Sequence, residues 1–454
     1  MVHTLRLVAL WAVLLLAGCG GGGGGDSTVT TVSGPGLSSL GLSAAVTTPF
    51  VATHNNLQVV VEDGPRGFTL APSANILYAT VTVCVPGGSP ANPAECQVID
   101  HVQVDTGSVG LRVLASKVKS LNLPRVTLSA SGDPVTRNAW ECFPFVIGGL
   151  WGANAGADVW MGQQVATRIP IQLIEDDPLA ALQATPDCIQ ATDNNVLDSA
   201  GALGSNGILG IGSTTLDCGL NCEAGDYTGS FVQYYSCPQG ATSGVACSAA
   251  AIPAALQVYN PVAALPAAYN NGVVLKMPAV TDPGAATATG ELIFGLDTLS
   301  NNSVPLGASK VFLGVDYVNR PDSYLNLTTQ FNGVTYFSSY LDTGTNGLFF
   351  TDTALTRCQG STWYCPSATL NYSAQLSDGD NPLRTPVSVA FQIANAEALF
   401  STNNTAFSGA AGAAPAGSSA FAWGMPFFYG KQVFLSIWQQ AGSLSGPWVA
   451  WAPI

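Results

Sequence analysis

Positive charge is scarce in this chain, which has 14 lysines and arginines against 28 aspartates and glutamates and a formal net charge of −14. Nucleic acids and anionic membrane surfaces both attract basic patches on their protein partners. The composition therefore argues against a nucleic-acid partner and against charge-driven binding to anionic lipid.

Histidine is also rare, because the chain contains only His3, His54 and His101. A Ser-His triad would have to draw on His54 or His101, and the sequence has no Gly-x-Ser-x-Gly elbow for its nucleophile. No group of His, Cys and acidic residues has the spacing of a metal site, and no glycine-rich phosphate loop joins a strand to a helix. We therefore expect neither a metal nor a cofactor.

Extended helical patterns are missing as well, since no long amphipathic helix or coiled coil is found. Apolar residues make up 47% of the sequence and 50 residues are glycine, which favours an all-β body with many turns. The length of 454 residues suits one large two-lobed unit or two to three ordinary domains. Locally, Asn332-Gly333 predicts a hairpin turn, and Asn260-Pro261 predicts the start of a short helix that reaches Tyr269.

One short segment occurs twice, and both copies carry an aspartate. Residues 105–111 read Asp-Thr-Gly-Ser-Val-Gly-Leu and residues 342–348 read Asp-Thr-Gly-Thr-Asn-Gly-Leu, so six of seven positions match when Ser and Thr count as one class. Apolar, β-prone residues precede each copy, which places each Asp where a strand meets a glycine-containing turn. Two carboxyl groups brought together by related halves can share one proton and activate a water molecule.

At these residues the chain resembles the pepsin-like aspartic peptidases. Four further segments agree with that family in the same order along the chain, and they are residues 206–212, 290–297, 421–428 and 448–453. The resemblance spans about residues 75–454. It implies an all-β, bilobal fold with two β-barrel-like lobes related by a pseudo-two-fold axis and a central cleft, with an N-terminal lobe at residues 46–300 and a C-terminal lobe at residues 301–454.

The resemblance also assigns roles to the two repeated turns, with Asp105 and Asp342 as the catalytic dyad. Six residues are expected to support it: two threonines that brace the turns, two glycines that let backbone amides approach, and two residues whose hydroxyls bind the outer carboxylate oxygens. In that order they are Thr106 and Thr343, Gly107 and Gly344, and Ser108 and Thr345. The implied activity is an aspartic endopeptidase that acts on polypeptide at acid pH. The sequence does not indicate the oligomeric state, and a monomer is favoured.

Two positions are less like the family. Trp151-Gly152 stands where the family has a Tyr beside a Gly in the flap over the cleft, so Trp151 is predicted to lie at the flap tip; ordinary packing of Trp151 is the alternative. Arg112 stands where the family usually has Trp, and a cation beside the dyad would lower its pKa values. The main rival is a non-catalytic binding scaffold with the same fold. A dyad whose carboxyl groups face each other within hydrogen-bonding reach would favour the peptidase.

The N-terminus predicts export. Residues 1–18 form a signal peptide whose apolar run is too short to span a membrane. Leu16-Ala17-Gly18-Cys19 resembles the bacterial lipobox, so Cys19 is predicted to be acylated; an ordinary cleaved signal is the alternative. Residues 19–45 then form a glycine-rich flexible tether. Because no Asp follows Cys19, we expect a lipid anchor in the outer membrane or at the cell surface, facing the periplasm or the exterior.

Cysteine usage agrees with export. Of the 11 cysteines, ten remain when Cys19 is reserved for lipid, and an even number suits disulfides in an oxidising compartment. Local pairing predicts Cys84–Cys96 and Cys358–Cys365. The remaining six can pair in several ways, among which we favour Cys142–Cys188.

Changing Cys19 to alanine should abolish fatty-acid labelling and leave uncleaved or soluble protein, because the thiol that accepts the lipid is gone. The measurement is incorporation of a labelled fatty acid into the expressed full-length chain, with Ser27→Ala in the tether as the control. Labelling of the Cys19→Ala protein at the wild-type level would rule the anchor out.

Overall fold

The computed structural model describes residues 55–65, 74–128, 136–177, 182–225, 233–241, 243–315, 325–380, 385–415, 417–438 and 447–454. The predicted signal peptide, Cys19 and the tether lie outside these residues.

Sixteen strands form one large sheet in the described part of the chain. They are β1 (Asn56–Val61), β2 (Leu77–Cys84), β3 (Cys96–Asp105), β4 (Val109–Leu114), β5 (Thr127–Leu128), β6 (Arg137–Phe145), β7 (Gly148–Met161), β8 (Gln164–Ile174), β9 (Gly207–Ile211), β10 (Tyr234–Pro238), β11 (Ser248–Ala249), β12 (Gly272–Met277), β13 (Ala288–Phe294), β14 (Ser309–Phe312), β22 (Lys431–Ser436) and β23 (Trp448–Pro453).

A second sheet of seven strands comes from the later part of the chain. Its strands are β15 (Leu327–Phe331), β16 (Val334–Leu341), β17 (Leu348–Phe350), β18 (Leu370–Ser377), β19 (Val387–Ile393), β20 (Ala411–Ala413) and β21 (Ala422–Trp423). The α-helices have four to six residues each, and they are α1 (Ala115–Val118), α2 (Pro186–Ala191), α3 (Ala200–Leu203), α4 (Leu220–Ala224) and α5 (Ala396–Phe400).

The predicted fold class is confirmed, since the described residues are mainly strands in two sheets with only short helices. None of the helices in these residues is long and apolar enough to cross a membrane. The predicted helix at residues 260–269 is wrong, because this stretch forms turns. The Asn260 side chain stabilises the first turn by accepting a hydrogen bond from the Val262 amide. It also donates to the carbonyl oxygens of Gly212 and Thr214.

The large sheet extends beyond the predicted N-terminal lobe. Its strand order runs β11-β10-β6-β7-β8-β4-β9-β3-β2-β1-β13-β12-β22-β23-β14, so three strands of residues 301–454 continue it. The division at residue 300 therefore does not coincide with a break between the two sheets. Buried residues of both sheets also belong to one continuous hydrophobic core, which includes Val59 on β1, Phe331 on β15 and Trp451 on β23.

The two Asp-containing turns occupy matching places in the two sheets. In the large sheet β9 pairs parallel to β3 and antiparallel to β4, the strands on either side of the first turn. In the smaller sheet β21 pairs parallel to β16 and antiparallel to β17, the strands on either side of the second. Each turn is therefore held from behind by one short strand that is paired with both of its arms.

Glycines permit this close approach. A Cβ at Gly210 on β9 would lie 2.7 Å from the Val109 backbone nitrogen, and one at Gly424 after β21 would lie 2.2 Å from the Gly347 carbonyl oxygen. Either contact is too short for a real carbon atom, so only glycine fits. This is the physical reason for these glycines in residues 206–212 and 421–428, two of the segments that resemble the peptidase family.

All ten described cysteines are in disulfides, and the three predicted bridges are confirmed. Cys84–Cys96 joins paired positions of β2 and β3, Cys142–Cys188 ties β6 to α2, and Cys358–Cys365 closes a short loop. The other two bridges are Cys218–Cys222 and Cys237–Cys247, which sequence spacing left open.

The hairpin of β6 and β7 has its tip at Val146 and Ile147, which are 77% and 67% exposed. Trp151 lies further along β7 and is only 2% exposed. Gly152 beside it is packed so tightly that a Cβ would lie 2.0 Å from the Leu173 carbonyl oxygen. The interpretation of Trp151-Gly152 as a flap tip is therefore wrong.

Trp151 instead belongs to a small buried cluster. Its ring stacks on Trp140 with centroids 5.2 Å apart and meets the edge of Tyr235 at 5.4 Å. The indole N–H donates to the Leu182 carbonyl oxygen at 3.2 Å. The Cys142–Cys188 bridge lies in the same cluster. An aromatic side chain with all its neighbours in place stabilises the fold and has no freedom to close over a cleft.

Replacing Trp151 by alanine should lower the free energy of unfolding by about 3–5 kcal/mol, because it leaves a large cavity and an unpaired carbonyl group. Denaturant unfolding measures this. Val146→Ala at the exposed tip is the control and should change stability by less than about 0.5 kcal/mol. A Trp151→Ala protein as stable as the wild type would contradict the buried position of Trp151 and favour an exposed one.

Candidate active site

Each Asp-Thr-Gly turn begins where a strand ends. β3 ends at Asp105, and β16 ends one residue before Asp342. Asp105 lies opposite Gly210 on β9, and the Asp342 amide donates to the Trp423 carbonyl oxygen of β21 at 3.0 Å. The backbone of both aspartates is therefore fixed by the strand behind the turn.

The structure brings the two carboxyl groups into contact. Asp105 Oδ1 and Asp342 Oδ1 lie 2.7 and 3.0 Å from the same point, the position that a Cβ at Gly344 would take, with Asp105 6% exposed and Asp342 partly buried. A Cβ at Gly107 would lie 2.8 Å from Asp342 Cγ, and a Cβ at Gly344 would lie 2.7 Å from Asp105 Oδ1. Each glycine therefore makes room for the carboxyl group of the opposite turn, in a reciprocal arrangement.

Each carboxyl group is also held by its own turn. Ser108 Oγ donates to Asp105 Oδ2 at 2.5 Å, and the Gly107 amide donates to Asp105 Oδ1 at 2.8 Å. The second turn repeats both bonds: Thr345 Oγ1 donates to Asp342 Oδ2 at 2.5 Å and the Gly344 amide donates to Asp342 Oδ1 at 2.7 Å. Four donors thus fix both carboxyl groups in the same way.

Two threonines join the two Asp-Thr-Gly turns to each other. Thr106 Oγ1 donates to the Leu341 carbonyl oxygen and accepts from the Thr343 amide at 3.0 Å. Thr343 Oγ1 donates to the Val104 carbonyl oxygen at 2.7 Å and accepts from the Thr106 amide at 3.1 Å. Because both threonines are buried, these four bonds lock the relative position of the two turns.

The carboxyl pair favours retention of a proton. Burial first, then the charge of Asp105 and the hydrogen bond with it, raise the pKa of Asp342 well above the usual range of a carboxyl group. The hydrogen bonds from Thr345 and Gly344 act in the opposite direction and are outweighed. Two carboxylates in contact repel each other when both are ionised, so one proton stays on the pair.

Two further residues of the site were not predicted from the sequence. Tyr340 lies near both aspartates, and burial followed by the Asp342 charge raises the pKa of its phenol. Gln103 donates from Nε2 to the Gly344 carbonyl oxygen at 3.2 Å. Each stands two residues before the aspartate of its turn. The alternation of side chains along a strand could have indicated this, since residues i and i+2 share a face.

Arg112 does not place its charge beside the dyad. Its guanidinium group is fully buried and forms ion pairs with Glu141 at 2.8 Å and Asp217 at 3.0 Å. A lower pKa of the dyad was conditional on an uncompensated cation beside it, and the charge of Arg112 is instead balanced by the carboxyl groups of Glu141 and Asp217.

One group of side chains in the described residues has the spacing of a metal site, and it consists of Cys358, Cys365 and Glu397. The two cysteines form a disulfide and offer no thiolate. The residues at hand thus do not fit a metal ion there.

Comparison with known proteins places the chain in a family. Among solved structures, it is similar to an aspartic proteinase from Irpex lacteus, with 13% identity, a TM-score of 0.48, and coverage of 88% of this chain and 96% of that chain. No curated protein matches it. A family match extends over residues 51–451, which is most of the chain. The chain therefore belongs to the family described as "Protein of unknown function (DUF3443)".

Proposed function

We propose that this protein is an aspartic-type endopeptidase that hydrolyses peptide bonds at acid pH through a water activated by Asp105 and Asp342. The observation that carries the proposal is the close approach of these two carboxyl groups, each packed against the glycine of the opposite turn and fixed by a hydroxyl group and a backbone amide of its own turn. A binding scaffold would have no need to hold two like-charged groups against each other at the cost of their repulsion.

The chemistry follows from one proton shared by two carboxyl groups. The ionised carboxylate accepts a proton from water while the water oxygen bonds to the peptide carbonyl carbon, and the protonated carboxyl group donates its proton to the carbonyl oxygen. In the second step the protonated carboxyl group donates its proton to the peptide nitrogen, a hydroxyl group of the diol intermediate returns a proton to the carboxylate, and the C–N bond breaks. The products are a carboxylic acid and an amine, and the dyad is again singly protonated.

The pH dependence has a defined sign. Since the pKa of Asp342 is raised, the proton needed by the general acid persists above the usual carboxyl range and is lost as pH rises further. At very low pH both groups are protonated and no base remains. Activity should therefore pass through a maximum at acid pH.

The proposal also includes the cellular location, the membrane anchor and the oligomeric state of the enzyme. We place it outside the cytoplasm, lipid-anchored through Cys19 and acting as a monomer on polypeptide substrates. Five disulfides in the described residues support an oxidising compartment. The scarcity of positive charge supports a partner other than nucleic acid.

Asp105→Asn and Asp342→Asn should each lower peptide cleavage by about three orders of magnitude or more, and the double variant should be scarcely worse, because the two groups act as one unit. The assay is cleavage of a reduced, unfolded protein at several acid pH values, with and without a statine-type inhibitor.

Asp63→Asn is the matched control, since it makes the same change at an exposed position and should leave cleavage intact. Near-ultraviolet circular dichroism verifies that each variant is folded. Cleavage that survives either dyad substitution would contradict the proposal. A folded wild type that cleaves nothing and ignores the inhibitor at every acid pH would favour the binding scaffold.

A further inference from the structure

A second pair of carboxyl groups lies in the interior, close to the first Asp-Thr-Gly turn. Glu141 on β6 and Asp217 between β9 and α4 are 0% and 3% exposed, and both contact the buried Arg112 on β4. We call Arg112, Glu141 and Asp217 the Arg112 cluster. The proposed peptidase mechanism uses none of these residues.

The two carboxyl groups of the cluster share the same donors. Glu141 Oε1 accepts from Arg112 Nη2 at 2.8 Å and from Gln233 Nε2 at 3.1 Å. Asp217 Oδ2 accepts from the same two nitrogen atoms, at 3.0 Å from each. Two oxygens that share two donors lie close together, so Glu141 Oε1 and Asp217 Oδ2 face each other in the interior. Two carboxylates held this close without water repel each other, so a proton on the pair stabilises the arrangement.

The net charge of the Arg112 cluster also favours one proton on the pair of carboxyl groups. The described titratable groups that face the carboxyl pair are Arg112 on β4 and Tyr234 on β10, whose hydroxyl group donates to Asp217 at 2.8 Å. Burial raises the pKa of this phenol well above its usual value, so it stays neutral. With both carboxyl groups ionised, one cation would face two anions without water, which is costly. One proton on the pair makes the cluster neutral.

The atom contacts of Glu141 agree with this count. In the described part of the chain Glu141 Oε2 is buried and has no hydrogen-bond partner. A carboxylate oxygen that bears charge in the interior normally accepts several hydrogen bonds, and one without any is expensive to ionise.

We propose that Glu141 and Asp217 share one proton and that the Arg112 cluster, in this singly protonated state, positions the first Asp-Thr-Gly turn. Arg112 Nη1 donates to the Val109 carbonyl oxygen at 2.5 Å. Val109 follows Ser108, whose hydroxyl group holds Asp105. The guanidinium group also lies 3.8 Å from the centroid of the Phe143 ring on β6. Arg112 is thus a positioning residue that ties the turn to the hairpin.

The cluster also joins segments that are distant in sequence. Tyr234 accepts from the Val258 amide at 2.9 Å while donating to Asp217, and Gln172 on β8 donates to the Glu141 carbonyl oxygen at 2.9 Å. If the shared proton were lost, the carboxylates of Glu141 and Asp217 would repel each other at the point where β4, β6, β8 and β10 are joined.

The effect on stability has a defined sign. Burial first, then the proximity of Glu141, raise the pKa of Asp217 well above the usual carboxyl range. The folded state therefore binds a proton that the unfolded state releases near pH 4, in the ordinary range. This contribution is fully present below about pH 4 and is lost as pH rises through the folded-state pKa. The cluster should thus limit the stability of the fold on the alkaline side.

Asp217→Asn and Glu141→Gln test the shared proton. If one proton is shared, either amide leaves the net charge unchanged and has no proton to lose, so the pH midpoint of alkaline unfolding should rise by about one unit. Circular dichroism of the full chain against pH gives the midpoint. Asp63→Asn is the control for loss of an exposed carboxyl group and should leave it unchanged.

If both amide variants are less stable at every pH and the pH midpoint of their alkaline unfolding is unshifted, the proposal of a shared proton is overturned. If the variants do not fold, infrared spectroscopy of the wild type and of Asp342→Asn decides the question. A protonated buried carboxyl band that persists in Asp342→Asn and disappears with alkaline unfolding supports the proposal. Its absence at neutral pH contradicts it.

The positioning role rests on the proposed peptidase activity and has its own test. Arg112→Lys keeps the cation but loses the bond to the Val109 carbonyl group, so kcat should fall about tenfold or more with a smaller change in KM. An unchanged kcat would overturn the positioning role. A wild type without cleavage activity would refute the peptidase proposal instead, while the unfolding midpoints would still test the shared proton.

Discussion

The contact between Asp105 and Asp342 is the constraint on which the rest of this structure depends. Two carboxyl groups meet only if no side chain stands between them, and Gly107 and Gly344 each leave the space that the opposite carboxyl group fills. The cross-bonds of the two threonines then fix the distance between the turns. Pairing of β9 and β21 behind the turns extends this fixation into both sheets.

Protonation is the second consequence of bringing like charges together. The dyad holds a proton because burial and mutual repulsion raise the pKa of Asp342. The Arg112 cluster also brings two carboxyl groups together, here in the interior and beside a single cation. Both sites favour the folded state more strongly at low pH, because the unfolded chain releases these protons near pH 4. An acid working range therefore agrees with the energetics of the fold and with the proposed chemistry.

Local sequence patterns predicted the fold class and the two Asp-containing turns. The positions of Trp151 and Arg112 depend on long-range packing, which these patterns do not show. The repeated motif located both turns, and Asn332-Gly333 lies between β15 and β16 as a hairpin turn should. The motif does not show how far the hairpin of β6 and β7 extends, so it could not locate its tip. The position of Trp151 is set by packing against residues of β10 and α2, which are distant in sequence. The partners of Arg112 are likewise 29 and 105 residues away, and no spacing rule connects them.

The most direct test of the account is the titration of the dyad, followed by carbon-13 NMR of protein labelled at the aspartate carboxyl carbon. The account predicts that the pair titrates in two separate steps, the later one well above the ordinary carboxyl range near pH 4. In Asp105→Asn the Asp342 midpoint should move down, because the neighbouring charge is removed. Two independent titrations in the ordinary range, unchanged by Asp105→Asn, would contradict a shared proton and with it the proposed catalytic unit.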